Sequence, residues 1–152
     1  MVKDQVAIVV VVKDRIVLRK RVLHIYKTYF PETLGGVEQV IHQTVCETKK
    51  HGFDGEVLTF GEGATNDFDY SGYKVHRIRT QIEIGGTPFA ISALKRVKQI
   101  SESFDIIHTH FPNPFGDIMG LAAVSGCNKP IVVTYHSDVV RQKILNYAYI
   151  PL

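Results

Sequence analysis

The chain of 152 residues is 45% hydrophobic and 22% charged, which is typical of one soluble globular domain and not of a disordered or fibrous protein. A net charge of +3 is too small to predict a nucleic-acid surface, and the longest apolar run, at residues 6–12, is far shorter than the ~20 residues that span a bilayer. The two cysteines, Cys46 and Cys127, have no CxxC partner, so we expect no disulfide framework, no structural zinc site and a reducing cytoplasm.

The first 20 residues do not fit the alternation of strands and helices, which begins after them with a strand and a helix. Residues 1–20 are either an edge strand or hairpin, or an extension outside the domain, and the sequence leaves both interpretations open. From residue 21 we expect one domain that runs to residue 152, with RVLHIYK as its first strand. A loop ends in Gly35 and Gly36, and apolar residues at helical spacing then predict a helix that Gly52 terminates.

Strand-like and helix-like segments alternate through the rest of the chain. The segment 61–72 is rich in turn residues and is predicted to be a loop. The alternation predicts a doubly wound α/β domain with a mostly parallel, Rossmann-like sheet. For such a sheet we assume the strand order 3-2-1-4-5. The further strands are predicted at 56–61, 73–84, 105–111 and 130–136, and the further helices at 85–104 (opened by GGTP), 114–126 and 137–149.

Candidate ligand-binding residues gather at one edge of this predicted sheet. Ligands of open parallel sheets bind beyond the carboxyl ends of the strands where the strand order reverses, here between the first and fourth strands. Gly35 and Gly36 open the first helix, whose backbone N–H groups and dipole favour an anion such as phosphate. His110 ends the fourth strand, and His136 and Asp138 follow the fifth. We therefore expect these residues to share one cleft.

The sequence lacks the motifs of several other kinds of site and leaves two alternatives open. LGGVEQ lacks the GxGxxG spacing of a dinucleotide fingerprint, and neither a GxxxxGK[ST] nor a GxSxG motif is present. His108 lies on the same strand face as His110, one step further inside, and is predicted to be a core or supporting residue. His24, inside the first strand, is predicted to be structural, and His76 is predicted to lie at the surface. Two alternatives stay open: a metal-dependent hydrolase that uses His108, His110 and His136, and a non-catalytic domain that binds a sugar or nucleotide.

Three segments in order resemble the amino-terminal half of family 4 retaining glycosyltransferases, the GT-B enzymes that use nucleotide sugars. They are RVLHIYKTYFPETLGGVEQVIHQ, DIIHTHFPNPFGDIMGLAA and PIVVTYHSD. Within the family the chain is most similar to mannosyl- or related hexosyltransferases of bacterial surface-polysaccharide assembly. The resemblance implies that Gly35 and Gly36 approach the donor diphosphate and that His110 contacts the donor sugar near the reacting carbon. It also implies that His136, with Asp138 beside it, lines the same cleft.

The resemblance further implies transfer of a hexose from a nucleotide-diphosphate sugar to a sugar or lipid-linked acceptor, with retained anomeric configuration and without a metal or other cofactor. The nucleotide-binding domain of the family would follow residue 152, so we expect little or no activity from this chain alone. No nucleic-acid partner is expected. A cytoplasmic protein is expected. Basic residues would hold it peripherally at the inner membrane face, unless they form an ordinary solvated charged surface. The candidates are Arg77, Arg79, Lys95, Arg96 and Lys98.

Overall fold

The computed structural model describes residues 19–61, 63–79, 82–84, 87–89, 93–112, 118–121, 123, 125 and 128–136. Two helices cover opposite faces of a six-stranded sheet, and two further strands form a separate hairpin. Within the described residues no helix has the length and apolar character needed to cross a membrane. The elements are β1 (Lys20–Ile25), α1 (Gly36–Thr48), β2 (Phe53–Gly61), β3 (Asn66–Tyr70), β4 (Tyr73–Arg79), β5 (Ile82–Ile84), β6 (Thr87–Phe89), α2 (Ala93–Ser101), β7 (Ile106–Phe111) and β8 (Ile131–Tyr135).

The parallel strands have the order that was assumed for such a sheet. The sheet runs β3-β4-β2-β1-β7-β8, so its parallel strands alone give the order 3-2-1-4-5. β1 lies between β2 and β7 and is parallel to both, with His24 opposite Val57 on one side and opposite His108 on the other. After β1 the chain continues into β2, which pairs with one edge of β1, whereas β7 pairs with the other edge. The carboxyl ends of β1 and β7 therefore flank the point where ligands of such sheets bind.

The segment 61–72 contains a strand, so its prediction as a loop was wrong. Residues Asn66–Tyr70 pair antiparallel with β4, and Tyr70 lies opposite Tyr73. Ser71 and Gly72 between them have φ of 50° and 84°, as the two central residues of a type I′ hairpin turn require. Only Phe68 and Tyr70 of β3 are apolar, and the turn residues around them concealed the alternation.

The helix predicted from GGTP onwards begins later than expected. Thr87–Phe89 is a strand that pairs antiparallel with Ile82–Ile84, and the helix starts at Ala93. Ile84 and Thr87, which pair, are separated by two glycines, and such a pair is a hairpin signal as much as a helix start. The single exposed strand predicted for 73–84 is likewise divided between β4 and β5.

Each face of the sheet buries its own apolar side chains. On one face Leu23 and Ile107 pack with Val97 and Ile100 of α2. On the other face Val57 packs with residues of α1. Because side chains alternate along each strand, the histidines of β1 and β7 lie on the α1 side of the sheet. Gly52, with φ of 84°, ends the α1 segment as predicted.

Some predictions fall on residues outside the described ranges. Residues 1–18, the terminal helix at 137–149 and Asp138 are among them, so their predictions remain untested. The helix predicted at 114–126 is helical at 118–121. Lys20 is the first residue of β1 rather than the last residue of an extension, and the division of the chain at residue 20 otherwise stays a prediction.

Candidate functional site

Four histidines from three neighbouring strands lie together at the carboxyl edge of the sheet. We call His24, His108, His110 and His136 the histidine row. The ring of His110 is at its centre, because its Nε2 lies 3.2 Å from Nδ1 of His24 and its Nδ1 lies 3.1 Å from Nε2 of His136. The backbone N–H of His136 donates to the carbonyl of Phe111 at 3.0 Å, which continues the β7–β8 pairing and holds this ring beside the row.

His108 supports the row without joining its hydrogen-bonded chain. Its Nε2 lies 2.7 Å from the hydroxyl oxygen of Thr134 on β8. Its ring stacks on His110 with the ring centres 4.2 Å apart and lies 4.7 Å from the ring of His24. The sequence predicted this supporting role, since His108 lies one step inside the strand end.

The histidine row is electrically neutral near pH 7. Burial lowers the pKa of His24 and of His110 well below the ordinary value of 6.5, and the neighbouring histidines lower both further. Burial, with the nearby His136, lowers the pKa of His108 to about 4. Burial also lowers the pKa of His136, which is only half-buried. No carboxylate of the described residues pairs with these rings to counter the effect.

The start of α1 lies at the same edge of the sheet and carries its own carboxylate. Glu38 is 5% exposed, and its Oε1 accepts hydrogen bonds of 2.8 Å from the hydroxyls of Thr28 and Thr33. Its other oxygen lies against Gly35, where a Cβ atom would collide with the carboxylate. A Cβ at Gly36 would meet no atom within 4 Å. The helix start is therefore closed at Gly35 and open at Gly36.

An aromatic cluster fixes the loop that leads from β1 to this helix. The hydroxyl oxygens of Tyr29 and Tyr73 lie 2.8 Å apart, and that of Tyr73 is also 2.7 Å from Nδ1 of His42. Phe30 stacks on Tyr70 with ring centres 5.2 Å apart. These contacts tie the loop to α1, β3 and β4, so the positions of Gly35 and Gly36 are set by packed rings.

Three of the histidines lie close enough together to share a metal ion, but they are not the three of the hydrolase alternative. Ligand nitrogens of His24, His108 and His110 lie within 4.8 Å of one another, whereas the hydrolase alternative required His136 in place of His24. A metal ion lies in the plane of each imidazole that binds it, and the rings of His108 and His110 are stacked with their planes only 27° apart. Two stacked planes do not direct their nitrogens to one common point, so the geometry suits hydrogen bonding within the row.

Comparison with known proteins identifies the family. A family model described as Glycosyltransferase Family 4 matches residues 34–152. The chain belongs to this family. It is 46% identical to the protein named O-antigen chain mannosyltransferase C of Escherichia coli over 133 aligned residues. The alignment covers 87% of this chain and 35% of that protein. It is 41% identical over 133 residues to D-rhamnosyltransferase WbpZ of Pseudomonas aeruginosa, covering 87% of this chain and 34% of that one.

The chain thus spans about a third of the length of the curated relatives that it matches. Membership of glycosyltransferase family 4 and the α/β architecture with its Rossmann-like sheet are both as the sequence predicted. The individual roles assigned to Gly35, Gly36, His110 and His136 stay predictions, and the geometry adds detail to each of them.

All four of these residues lie at the positions in the fold where the sequence placed them, with one qualification for His110. His110 and His136 are joined by a hydrogen bond, and Gly36 begins the helix that follows the adjacent strand β1. His110, however, is 1% exposed and uses both ring nitrogens within the row. Of the two, His136 is the more exposed side chain.

Sequence reasoning missed His24 and Glu38 and misjudged His76. His24 was taken as a structural strand residue, although it contacts His110 directly. Glu38 carries a local signal, since it follows the cap residue Gly35 by three positions, where acidic residues favour a helix start. His76 was predicted at the surface but is 7% exposed, because Glu56 bonds it and the ring of Phe104 packs on it edge-on.

Proposed function

We propose that this chain is the amino-terminal, acceptor-side domain of a retaining GT-B glycosyltransferase. The complete enzyme would transfer a hexose from a nucleotide-diphosphate sugar to an acceptor hydroxyl in the assembly of bacterial polysaccharide or lipopolysaccharide. Family membership and the names of the two relatives support a sugar transferase of this kind. The finer statements on mechanism, domain arrangement and substrates belong to the proposal.

One observation carries the proposal: the open helix start at Gly36 and the histidine row lie at the same edge of the sheet, on the adjacent β1 and β7 sides of the switch point. The edge of Tyr26, the first residue after β1, faces the ring of His110 with the ring centres 6.5 Å apart, so the β1 loop and the row are in contact. A helix start beside neutral hydrogen-bonding side chains suits a ligand with an anionic end and an uncharged, hydroxyl-rich end. A nucleotide-diphosphate sugar has this chemistry.

The charges at the helix start limit what this domain supplies alone. The α1 dipole favours the diphosphate, but the buried carboxylate of Glu38 opposes a second anion at the same place. The leaving diphosphate needs preorganised positive charge and N–H donors in a water-poor cleft. In the proposal the remaining positive charge comes from a nucleotide-binding domain, as in other GT-B enzymes, and no metal is required.

Little turnover is therefore expected from this chain alone. The protein expressed from its complete gene should transfer sugar at an ordinary enzymatic rate, while residues 1–152 should show no transfer above background. The measurement is release of nucleoside diphosphate from GDP- and UDP-sugars with an oligosaccharide acceptor. Ordinary enzyme rates from the chain of 152 residues would contradict the proposal of an acceptor-side domain.

The two glycines give a matched test of donor binding. Gly36→Ala meets open space, so we expect unchanged folding but at least tenfold weaker binding of the nucleotide sugar, which corresponds to about 1.4 kcal/mol. Gly35→Ala forces the Glu38 carboxylate to move and should cost about 1–3 kcal/mol in the free energy of unfolding. Donor binding is measured by calorimetry on the protein from the complete gene. Equal donor affinity of wild type and Gly36→Ala would rule out a diphosphate at the helix start.

We also propose peripheral contact with the cytoplasmic face of the membrane, through the exposed lysines Lys95 and Lys98 of α2. Arg77 does not contribute, since it pairs with Glu32 and lies over the ring of Phe68 at 4.5 Å. The test is sedimentation with liposomes that contain or lack anionic phospholipid, using wild type and a Lys95→Glu, Lys98→Glu double variant. Sedimentation that does not depend on lipid charge or on the variant would end this part of the proposal.

A further inference from the structure

The three rings of His24, His110 and His136 form a hydrogen-bonded chain with only two neutral arrangements. A neutral imidazole has one N–H donor and one bare nitrogen that accepts. Both nitrogens of His110 are within hydrogen-bond distance of a neighbouring ring, at 3.2 and 3.1 Å. His110 must therefore donate to one neighbour and accept from the other. The choice at His110 dictates the protonated nitrogen of both neighbours.

The two arrangements differ in what His136 offers to a ligand. In the first, His136 Nε2–H donates to His110 Nδ1 and His110 Nε2–H donates to His24 Nδ1, so all three rings carry the proton on Nε2. Nδ1 of His136 is then bare and accepts. In the second, every bond is reversed, all three rings carry the proton on Nδ1, and His136 offers a donor.

The first arrangement is the one that the chemistry favours. Free neutral histidine prefers the proton on Nε2, and all three rings satisfy this preference at once. Among the described residues, the other rings that contact the chain are uncharged near neutral pH. His108 stacks on His110, and Tyr26, the edge-on neighbour of His110, has its pKa raised to about 12 by burial and by the Glu38 carboxylate. Nothing among these neighbours forces the reversed arrangement.

We propose that His24 is a positioning residue that accepts the Nε2–H of His110, so that His110 accepts the Nε2–H of His136 and leaves Nδ1 of His136 as a bare acceptor for a sugar hydroxyl. The last clause, on the ligand, rests on the function proposed above. The coupling between His24 and His136 does not, because it follows from the hydrogen-bond distances alone. His24 thus acts on a ring that it does not touch.

The chain can be observed directly by NMR of the ¹⁵N-labelled protein without any ligand. Scalar couplings across N–H···N bonds should connect His24 Nδ1 with His110 Nε2, and His110 Nδ1 with His136 Nε2. Long-range ¹H–¹⁵N spectra should show the proton of all three rings on Nε2. Absence of either coupling in the folded wild-type protein overturns the proposal, and this measurement needs no variant to fold.

Two substitutions at position 24 then separate positioning from packing. His24→Leu removes the acceptor, and His110 should move its proton to Nδ1, because a buried N–H without a partner is costly. His136 should follow, with its Nδ1 and Nε2 shifts exchanging character. His24→Asn places an amide near the original Nδ1 and should restore the wild-type pattern, and the exposed His51→Gln serves as the control. Unchanged His136 nitrogen shifts in a folded His24→Leu protein overturn the coupling.

Activity of the protein from the complete gene provides the separate test of the ligand. His24→Leu should lower kcat about tenfold with little change in KM, and His24→Asn should recover most of that loss. Sugar transfer without the N–H···N couplings would refute the chain of rings and leave the proposed function intact. Couplings without any sugar transfer would refute the proposed function and leave the coupling of His24 to His136 intact.

Discussion

The molecule holds two groups of buried histidine with opposite surroundings. In the histidine row, each of the four rings has another ring or a hydroxyl as its hydrogen-bond partner. His76 lies elsewhere, between carboxylates, with Nε2 2.7 Å from Glu56 and Nδ1 3.0 Å from Asp67. Glu56 also binds the guanidinium of Arg21 at 2.7 Å. We call Arg21, Glu56, Asp67 and His76 the ion-pair cluster.

His76 in the ion-pair cluster stabilises the fold, whereas the neutral rings of the histidine row suit the proposed contact with a ligand. The ion-pair cluster joins side chains of β1, β2, β3 and β4, so it holds strands together. Burial opposes the charge on Glu56, but hydrogen bonds from His76 and Arg21 outweigh it and lower the pKa of this carboxyl. The row, by contrast, has no ionic partner among the described residues and keeps its rings neutral and hydrogen-bonded. Neutral rings can bond to one another without the repulsion that charged rings would bring.

The largest predicted effect is a loss of folding stability at acidic pH, caused by the buried rings of the histidine row. The pKa of His108 falls from 6.5 to about 4 on folding, so the unfolded chain binds more protons between these values. Stability conferred by the neutral ring is present above pH 6.5 and is lost as the pH falls towards 4. His108 alone should cost on the order of 3 kcal/mol across this window. Urea unfolding at a series of pH values measures it.

His108→Gln tests whether the row is the source. Glutamine does not titrate and can still bond Thr134, so this variant should lose part of the pH dependence between pH 6.5 and 4. The exposed His51→Gln should keep all of it. Equal pH profiles for wild type and His108→Gln would contradict the contrast between the two groups.

The next largest effect is expected at Glu56, the carboxylate that contacts both Arg21 and His76 in the ion-pair cluster. Glu56→Gln keeps the shape but removes the charge that Arg21 and His76 contact, and we expect a loss of about 2 kcal/mol in the free energy of unfolding at pH 7. Because the pKa of Glu56 is lowered on folding, its contribution is present at neutral pH and is lost as the pH falls through the folded value.

The control for this prediction is the exposed pair of Lys50 and Glu47. Lys50→Ala should change stability by less than about 0.5 kcal/mol, since both side chains are 66% exposed. If Glu56→Gln proves as neutral as Lys50→Ala, the ion-pair cluster does not stabilise the strands.

The parts of the fold that could be predicted are those whose sequence patterns are local. Apolar strands and the helical spacing of α1 are local patterns, so the α/β class and its mostly parallel sheet were predicted correctly. β3 was missed because its side chains are exposed or only half-buried, and β6 was missed because its pairing with β5 depends on turn geometry. His76 was misplaced for a related reason: β3 and the segment after α2 bring Asp67 and Phe104 to it from elsewhere in the chain.

The site divides in the same way. That His110 and His136 lie together could be predicted, because carboxyl ends of parallel strands converge. The bond between His24 and His110 could not, since it joins residues 86 positions apart and depends on the register of β1 against β7. Glu38 was predictable from its position relative to the helix cap but was overlooked.

The smallest predicted effect tests the edge of the row. Thr134 is buried, and among the described residues its hydroxyl is the hydrogen-bond partner of Nε2 of His108. Thr134→Val leaves that nitrogen without its hydrogen bond, and we expect a loss of about 1 kcal/mol in the free energy of unfolding. Thr134→Ser keeps the hydroxyl and its bond to His108, so it should cost less than Thr134→Val. A loss from Thr134→Val as large as that from Glu56→Gln would mean that hydroxyl and carboxylate partners stabilise buried histidine equally, and the contrast between row and cluster would fail.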